Sequence, residues 1–237
     1  MPQDKNDISP TTFAERALYR LSDLPGEIGY VAFRKLKRRL QAKAELRFQR
    51  EVNSLLESDL VLDLGANVGD LTELFALKGC EVHAFEPEPE TFKLLKQRFE
   101  TYANVHVHNA AVGVQDGEAE LVVPSSFREN PRSASKASSI TLDRYKSPDA
   151  IKHNVRVVNI IDFIFKCPRP PRLIKFDIEG AELDILEKFQ MENLLSRETM
   201  VFVETHERLE RKQLSRVKVL QEWARNQAVP YVNLFWG

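Results

Sequence analysis

Hydrophobic and polar residues follow two different periods along this chain, and the change comes at about residue 59. Before it, apolar side chains recur every three or four residues, as one face of a helix requires. They are Phe33, Leu36, Leu40, Ala44, Phe48, Val52 and Leu55. The spacing predicts a helix over about 30–57, after a shorter helix over 11–22. We therefore expect residues 1–58 to form an N-terminal helical extension.

After residue 59, short apolar runs alternate with helix-period segments, which is typical of a parallel sheet covered by helices. The predicted strands are 60–64, 81–86, 104–109, 155–160, 172–177, 199–204 and 231–235, with a hairpin-like piece at 118–123. The predicted helices are 69–78, 88–100, 180–195 and 207–227. Residues 59–237 are therefore expected to form one α/β domain with a central, mostly parallel sheet.

A long polar segment from Pro124 to Asn154 shows no clear period. It is rich in Ser, Lys and Arg and poor in large apolar residues, so it cannot bury enough surface to order itself. Segments of this length without a period are usually functional loops or disordered. We expect this segment to be mobile without substrate and to close over a bound acceptor.

The turn after the first predicted strand carries a strong local signal. Asp63-Leu64-Gly65-Ala66-Asn67-Val68-Gly69 leads from an apolar strand into a helix, and such a turn lets a ligand approach the backbone. The second strand ends in Phe85-Glu86-Pro87, where a nucleoside-binding fold places an acid that grips ribose hydroxyls. Asn67 stands where the dinucleotide fingerprint needs glycine. A nicotinamide-dependent oxidoreductase is therefore the weaker interpretation.

A third motif follows at the end of the fourth strand, Leu173-Ile174-Lys175-Phe176-Asp177-Ile178-Glu179-Gly180-Ala181-Glu182. Together with the two earlier motifs and Val203-Glu204-Thr205-His206, it resembles the FkbM family of S-adenosylmethionine-dependent methyltransferases. The resemblance covers roughly residues 59–206. It implies a Rossmann-like class I methyltransferase fold, S-adenosyl-L-methionine as the cofactor, and methyl transfer to a hydroxyl of a sugar, glycan or natural product.

The resemblance also assigns cofactor binding to the ends of the strands. Gly65 and Gly69 would let the methionine end of the cofactor lie against the first strand, and Glu86 would accept hydrogen bonds from the ribose. Asp63 would orient the turn or bind the cofactor's amino group. The structural alternatives are an acid of the turn or helix terminus for Asp63 and a helix cap for Glu86. The whole predicted set is Asp63, Gly65, Ala66, Asn67, Gly69, Glu86, Pro87, Asn109, Ala110 and Asp177.

Acids and a histidine at the ends of the fourth and fifth strands are the candidates for chemistry, because open α/β sheets place their active sites there. The predicted catalytic residues are Asp177, His206, Glu204 and Lys175. His206 is a possible proton acceptor near neutral pH. For Asp177, Glu179 and Glu182, capping of the next helix is the alternative. A divalent-metal site of Asp177, Glu204 and His206 is a weaker alternative, so no metal is expected.

Lys175 is unexpected in a central strand that should be apolar on both faces. A buried ammonium without a counter-charge is too costly to persist, so a carboxylate should meet it. The strands on either side end in Asp63 and Glu204, and we expect an ion pair with one of them. Structural pairing and direct catalytic use of Lys175 both stay open.

Composition narrows the remaining function classes. A chain of 237 residues with 43% hydrophobic content can bury a full core without disulfides or metals. A formal charge of −1 gives no overall attraction to nucleic acid or membranes. No apolar run approaches a membrane span, and no signal-peptide core is visible. Cys80 and Cys167 lack zinc-like spacing and are expected to be reduced thiols of a cytoplasmic protein.

The helix predicted over 30–57 has a basic face, interpreted as solvated, with contact to an anionic partner or a membrane surface as the alternatives. Its residues are Arg34, Lys35, Lys37, Arg38, Arg39, Lys43, Arg47 and Arg50. We expect a small-molecule or glycan hydroxyl acceptor and no nucleic-acid partner, and the oligomeric state stays open. A cofactor-binding scaffold without catalysis is the second functional hypothesis.

Overall fold

The computed structural model describes residues 7–123, 150–178, 180–206, 213–227 and 230–237. The helices in these ranges are α1 (Phe13–Ser22), α2 (Gly26–Ser54), α3 (Asp70–Ala76), α4 (Pro89–Phe99), α5 (Ile160–Lys166), α6 (Glu182–Glu192) and α7 (Leu214–Asn226). The strands are β1 (Leu60–Leu64), β2 (Glu81–Phe85), β3 (Val105–His108), β4 (Ala111–Gly113), β5 (Gly117–Val123), β6 (Ile151–Asn159), β7 (Leu173–Phe176), β8 (Met200–Val203) and β9 (Tyr231–Asn233).

Six strands form the main sheet in the order β3-β2-β1-β7-β8-β9, and every neighbouring pair is parallel. Strands β1, β7 and β8 are buried at every position because helices cover both faces of the sheet. This architecture confirms the predicted Rossmann-like α/β methyltransferase fold, with β7 between β1 and β8. The carboxyl ends of these strands meet at one edge of the sheet.

The long helix α2 forms a layer over one face of the sheet. All the apolar positions that predicted it are buried. Phe48 packs against the rings of Phe75, Phe202 and Trp236. Helix α1 is joined to α2 by the ion pair between Glu15 and Lys43, with 2.8 Å between their oxygen and nitrogen atoms. The extension therefore shares its core with the sheet.

The predicted basic face of α2 is engaged within the molecule at several positions. Lys37 Nζ donates to the carbonyl and hydroxyl oxygens of Thr205, at 2.8 and 2.9 Å. Arg47 pairs with Glu51, and its guanidinium lies over the ring of Tyr231. For the remaining basic residues, contact with an anionic partner stays an untested alternative.

A second sheet, in the order β4-β6-β5, corrects two predictions. The strand predicted at 155–160 belongs to this sheet, and it begins at Ile151, so residues 151–154 pair with β5 instead of lying in a mobile loop. Strand β6 is missed at its start because three polar residues in a row, Lys152, His153 and Asn154, follow Ile151 and no apolar run appears there. The rest of the predicted loop, 124–149, lies outside the described residues.

Helix α5 has no counterpart among the predicted elements. It is only seven residues long, so its apolar residues read as an extension of the preceding strand. The residue in the sequence that signals the start of α5 is Asn159, whose side chain caps the helix by accepting from the amides of Ile161 and Asp162.

Two further predictions concern membrane-spanning segments and the state of the cysteines. Among the described helices, none is long and apolar enough to cross a membrane. Cys80 and Cys167 are free thiols, as expected.

Candidate active site

The predicted glycine turn follows β1, and its backbone requires glycine. Gly65 has φ of +79°, and a Cβ there would lie 1.8 Å from the carbonyl oxygen of Asp177. Gly69 has φ of +89° at the start of α3, where a Cβ would meet the ring of Phe99 at 2.3 Å. The amides of Gly65 and Ala66 both donate to the carbonyl of Phe85, which holds the turn against β2.

Asn67 and Glu86, both predicted to bind the cofactor, lie in direct contact. Asn67 has φ of +54°, a conformation that asparagine tolerates, and its amide donates to Glu86 Oε2 at 2.9 Å. The other carboxyl oxygen, Oε1, accepts from the amide of Glu88 at 2.9 Å. Burial raises the pKa of Glu86 to about 7, against the lowering effect of these two amides. A buried, poorly solvated carboxyl therefore lies beside the turn.

Asn109, which directly follows β3, hydrogen-bonds to the backbone beside Glu86. Its side-chain amide donates to the carbonyl oxygens of Glu86 and Pro87, at 3.0 and 3.2 Å. Ala110 is buried next to it. The structure thus brings Asn109 and Pro87 together with Glu86, and their contact with the cofactor stays a prediction.

Asp63 and Lys175 form the predicted buried ion pair below the turn. Lys175 Nζ lies 3.1 Å from Asp63 Oδ1 and donates to the carbonyl oxygens of Leu64 and Gly65 at 3.3 and 2.6 Å. Burial by itself lowers the pKa of Lys175, but the carboxylates of Asp63 and Asp177 outweigh it and hold this pKa above its ordinary value. Of the two expected partners, Asp63 is therefore the one that pairs with the charged lysine.

The other oxygen of Asp63 is also occupied. Thr72 of α3 donates from Oγ1 to Asp63 Oδ2 at 2.6 Å, and Asp63 is fully buried. This arrangement favours orientation of the turn over direct contact with a ligand. Thr72 was not among the predicted site residues.

His206, Asp177 and Glu204 come together at the ends of β7 and β8. His206 is buried, and its Nε2 lies 3.8 Å from Asp177 Oδ1 and 3.9 Å from Glu204 Oε1. Its other ring nitrogen, Nδ1, lies 2.8 Å from Glu182 Oε1. Because a carboxylate only accepts, Nδ1 carries a proton in this contact and donates it to Glu182. The other ring nitrogen, Nε2, faces the carboxyl groups of Asp177 and Glu204.

Glu182 is the main site residue that the sequence prediction missed. It is buried at the start of α6, and its second carboxyl oxygen, Oε2, accepts from the amide of Gly180 at 2.7 Å. Its place in the first turn of a helix left capping open as the alternative, and Glu182 is not among the predicted catalytic residues. The missed signal was its position opposite a histidine at the end of the next strand. Glu179 lies outside the described residues.

The weaker alternative of a metal site has some geometric support. One oxygen each from Asp177 and Glu204 and one ring nitrogen of His206 all lie within 4.8 Å of one another. The expectation that this site needs no metal stays a prediction.

Comparison with known proteins identifies the family of this chain. The model of the methyltransferase FkbM domain matches residues 63–228. Hexuronic acid methyltransferase AglP of Haloferax volcanii is 26% identical over 178 residues, which cover 73% of this chain and 69% of that protein. Methyltransferase 1 of Beauveria bassiana is 26% identical over 147 residues, 55% of this chain and 58% of that protein. The matched domain spans more than half of the chain, and the chain therefore belongs to the FkbM methyltransferase family.

Proposed function

We propose that this methyltransferase uses S-adenosyl-L-methionine to methylate a hydroxyl group of a sugar, glycan or natural product. The observation that carries the proposal is the contact of His206 with Glu182, at the same sheet edge as the glycine turn and Glu86. A proton acceptor with a fixed orientation thus shares one edge with a region suited to a nucleoside.

The residues around the turn fit the proposed cofactor. Glu86 is buried with one backbone amide on each oxygen, whereas a carboxylate offers about four lone-pair positions. Two ribose hydroxyls would fill the remaining positions and compensate for the burial that raises the pKa of Glu86. Lys175 and Asp63 hold the turn in place from below. When bound, the cofactor supplies an electrophilic methyl group on a sulfonium sulfur.

His206 is suited to take the proton of the acceptor hydroxyl. Such a hydroxyl is a weak nucleophile until its proton is removed, so a positioned base accelerates the transfer. Glu182 fixes the ring orientation through Nδ1 and would stabilise the imidazolium that forms when Nε2 takes up the proton. The proton passes from the acceptor oxygen to Nε2.

Asp177 and Glu204 are suited to orient the acceptor. Their side chains are 35% and 28% exposed, so a ligand at the sheet edge can reach them. Carboxylates accept hydrogen bonds from hydroxyl groups, and two of them beside His206 would position an acceptor that carries several hydroxyls. The name of the Haloferax relative, a hexuronic acid methyltransferase, supports a sugar acceptor.

Two measurements test the proposal. Calorimetry should detect binding of S-adenosyl-L-methionine and of its demethylated product, S-adenosylhomocysteine, but not of NAD. Incubation with a methyl-labelled cofactor and a panel of sugars, uronic acids and glycans should then transfer label to an acceptor oxygen, located by mass spectrometry. Cofactor binding without transfer to any acceptor would favour the scaffold hypothesis. Binding of NAD alone would exclude the proposed cofactor.

A further inference from the structure

A second group of metal-type ligands lies near the amino ends of the strands, away from the candidate active site. Glu81 is the first residue of β2, whereas Glu86 follows its last residue. Five residues of extended strand separate the two acids by roughly 16 Å. The group therefore lies apart from the proposed cofactor site, although it shares a strand with it.

Strand geometry brings three ligand side chains together. Glu81 and His83 are two residues apart in β2 and share one face of the sheet. The register then pairs His83 of β2 with His106 of β3. Glu81 Oε1 lies 3.4 Å from His83 Nε2 and 3.9 Å from His106 Nε2, and the three ligand atoms all lie within 4.8 Å of one another.

These distances between ligand atoms are close to the distances between ligand atoms around a bound zinc ion. Zinc bonds to nitrogen and oxygen are about 2.0–2.2 Å long, so two ligand atoms in a tetrahedral site lie about 3.4 Å apart. The pair of Glu81 and His83 already has this spacing. Small rotations of the His106 side chain, which is about half exposed, would bring the third ligand atom to the same distance.

Two of the three ligands are held by a further partner. His83 Nδ1 lies 2.9 Å from His108 Nε2, and Glu81 Oε2 accepts from Arg169 at 2.7 Å. With His83 donating through Nδ1, its Nε2 lone pair is directed at Glu81 and His106. Metal-binding histidines usually donate their second ring nitrogen in this way, which fixes the ring for coordination.

We propose that Glu81, His83 and His106 bind a divalent transition-metal ion, with zinc as the best match. Two imidazoles and one carboxylate suit zinc, whereas magnesium and calcium favour ligand sets made of oxygen. Three protein ligands leave a fourth position for water, and the part-exposed side chains make the site reachable from solvent.

The ion would have a structural effect on the sheet. Strand β3 is at the edge of the main sheet and is only four residues long. A metal held by His106 of β3 and by Glu81 and His83 of β2 clamps the edge strand to its neighbour. Through Arg169, which contacts Glu81, the same ion secures the segment after α5.

Metal titration of the tag-free full chain, after dialysis against a chelator, tests this site. Zinc binding is measured by calorimetry, and cobalt is used as a spectroscopic probe of tetrahedral coordination. Wild type should bind zinc, and His106→Gln and Glu81→Gln should each weaken binding at least tenfold. His153→Gln, a half-buried histidine of β6, is the matched control and should bind as wild type does.

Glu204→Gln separates this site from the cluster at the candidate active site. Under the proposal, Glu204→Gln keeps the affinity of wild type, and zinc raises the melting temperature of wild type more than that of His106→Gln. Circular dichroism verifies that each variant is folded. The proposal is overturned if wild type shows no saturable zinc binding. It is also overturned if binding is lost in Glu204→Gln and kept in His106→Gln.

Discussion

Asp63 of β1 and Lys175 of β7 lie directly opposite each other in the strand register, and Lys175 Nζ is 3.1 Å from Asp63 Oδ1. The same ammonium donates to the carbonyl oxygen of Gly65, and the second oxygen of Asp63 accepts from Thr72 of α3. One buried ion pair therefore fixes β1, β7, the glycine turn and α3 relative to one another.

Lys175→Met tests the contribution of this pair to stability. The substitution keeps most of the side-chain volume but leaves the carboxylate of Asp63 buried without its counter-charge. We expect the free energy of unfolding, measured by urea denaturation, to fall by about 3–5 kcal/mol. Turnover should fall with it, because the glycine turn loses its tether.

The double variant Asp63→Asn/Lys175→Met is the control for this prediction. A neutral amide needs no counter-charge, so the double variant should be more stable than Lys175→Met alone. A loss below about 1 kcal/mol in Lys175→Met, the range of exposed ion pairs, would show that the pair is energetically unimportant.

The ion pair also illustrates what the sequence could predict. Strand β1 has its predicted bounds because four apolar residues, interrupted only by Asp63, precede a glycine turn. A lysine in the next central strand then requires an acid within reach, and parallel order leaves only a few candidates. Burial and strand order are thus enough to predict that Lys175 pairs with Asp63 or Glu204, and the structure selects Asp63.

The parts that were missed depend on tertiary contacts. Strand β6 is half exposed, so pairing with β5 orders residues 151–154 although their polar sequence gives no signal. Glu182 could not be distinguished from a helix cap, because its role depends on His206, 24 residues further along the chain. A pattern within one element does not report which side chains meet across two elements.

Glu86→Ala tests the proposed ribose contact. Loss of two hydrogen bonds to a charged acceptor should cost about 2–4 kcal/mol of binding free energy. Calorimetry should therefore show S-adenosyl-L-methionine binding weakened by more than tenfold in a protein that still folds. Glu90→Gln, an exposed acid of α4, is the matched control and should bind normally. Equal affinities in both variants would remove Glu86 from the cofactor site.

The raised pKa of Glu86 predicts a pH dependence of two quantities. Ribose hydroxyls donate to the ionised carboxylate, so cofactor affinity should increase as the pH rises through about 7. The stability of the protein without cofactor should change in the opposite sense. A carboxyl whose pKa rises from 4.5 to about 7 on folding binds its proton more tightly in the folded state, so its contribution is lost as pH increases over this window.

Glu86→Gln supplies the comparison, because glutamine does not ionise. Relative to this variant, wild type should lose on the order of 3 kcal/mol of unfolding free energy between pH 4.5 and about 7. Denaturation at a series of pH values measures the difference. Parallel pH profiles of the two proteins would show that Glu86 has an ordinary pKa.

The pairing of Glu182 with His206 gives the last prediction. His206→Gln removes the proposed base and should lower kcat by about 10²–10⁴-fold, while calorimetry shows unchanged cofactor affinity. Glu182 acts through His206, so variants of Glu182 should separate the effect of orienting the His206 ring from the effect of side-chain size. Glu182→Gln keeps an oxygen that accepts from Nδ1 and should retain more activity than Glu182→Leu, which cannot hold the ring. His153→Gln, outside this pair, is the control for histidine loss. If Glu182→Leu is folded and as active as Glu182→Gln, the carboxylate does not orient the base. If His206→Gln is folded and keeps its kcat, another group takes the proton.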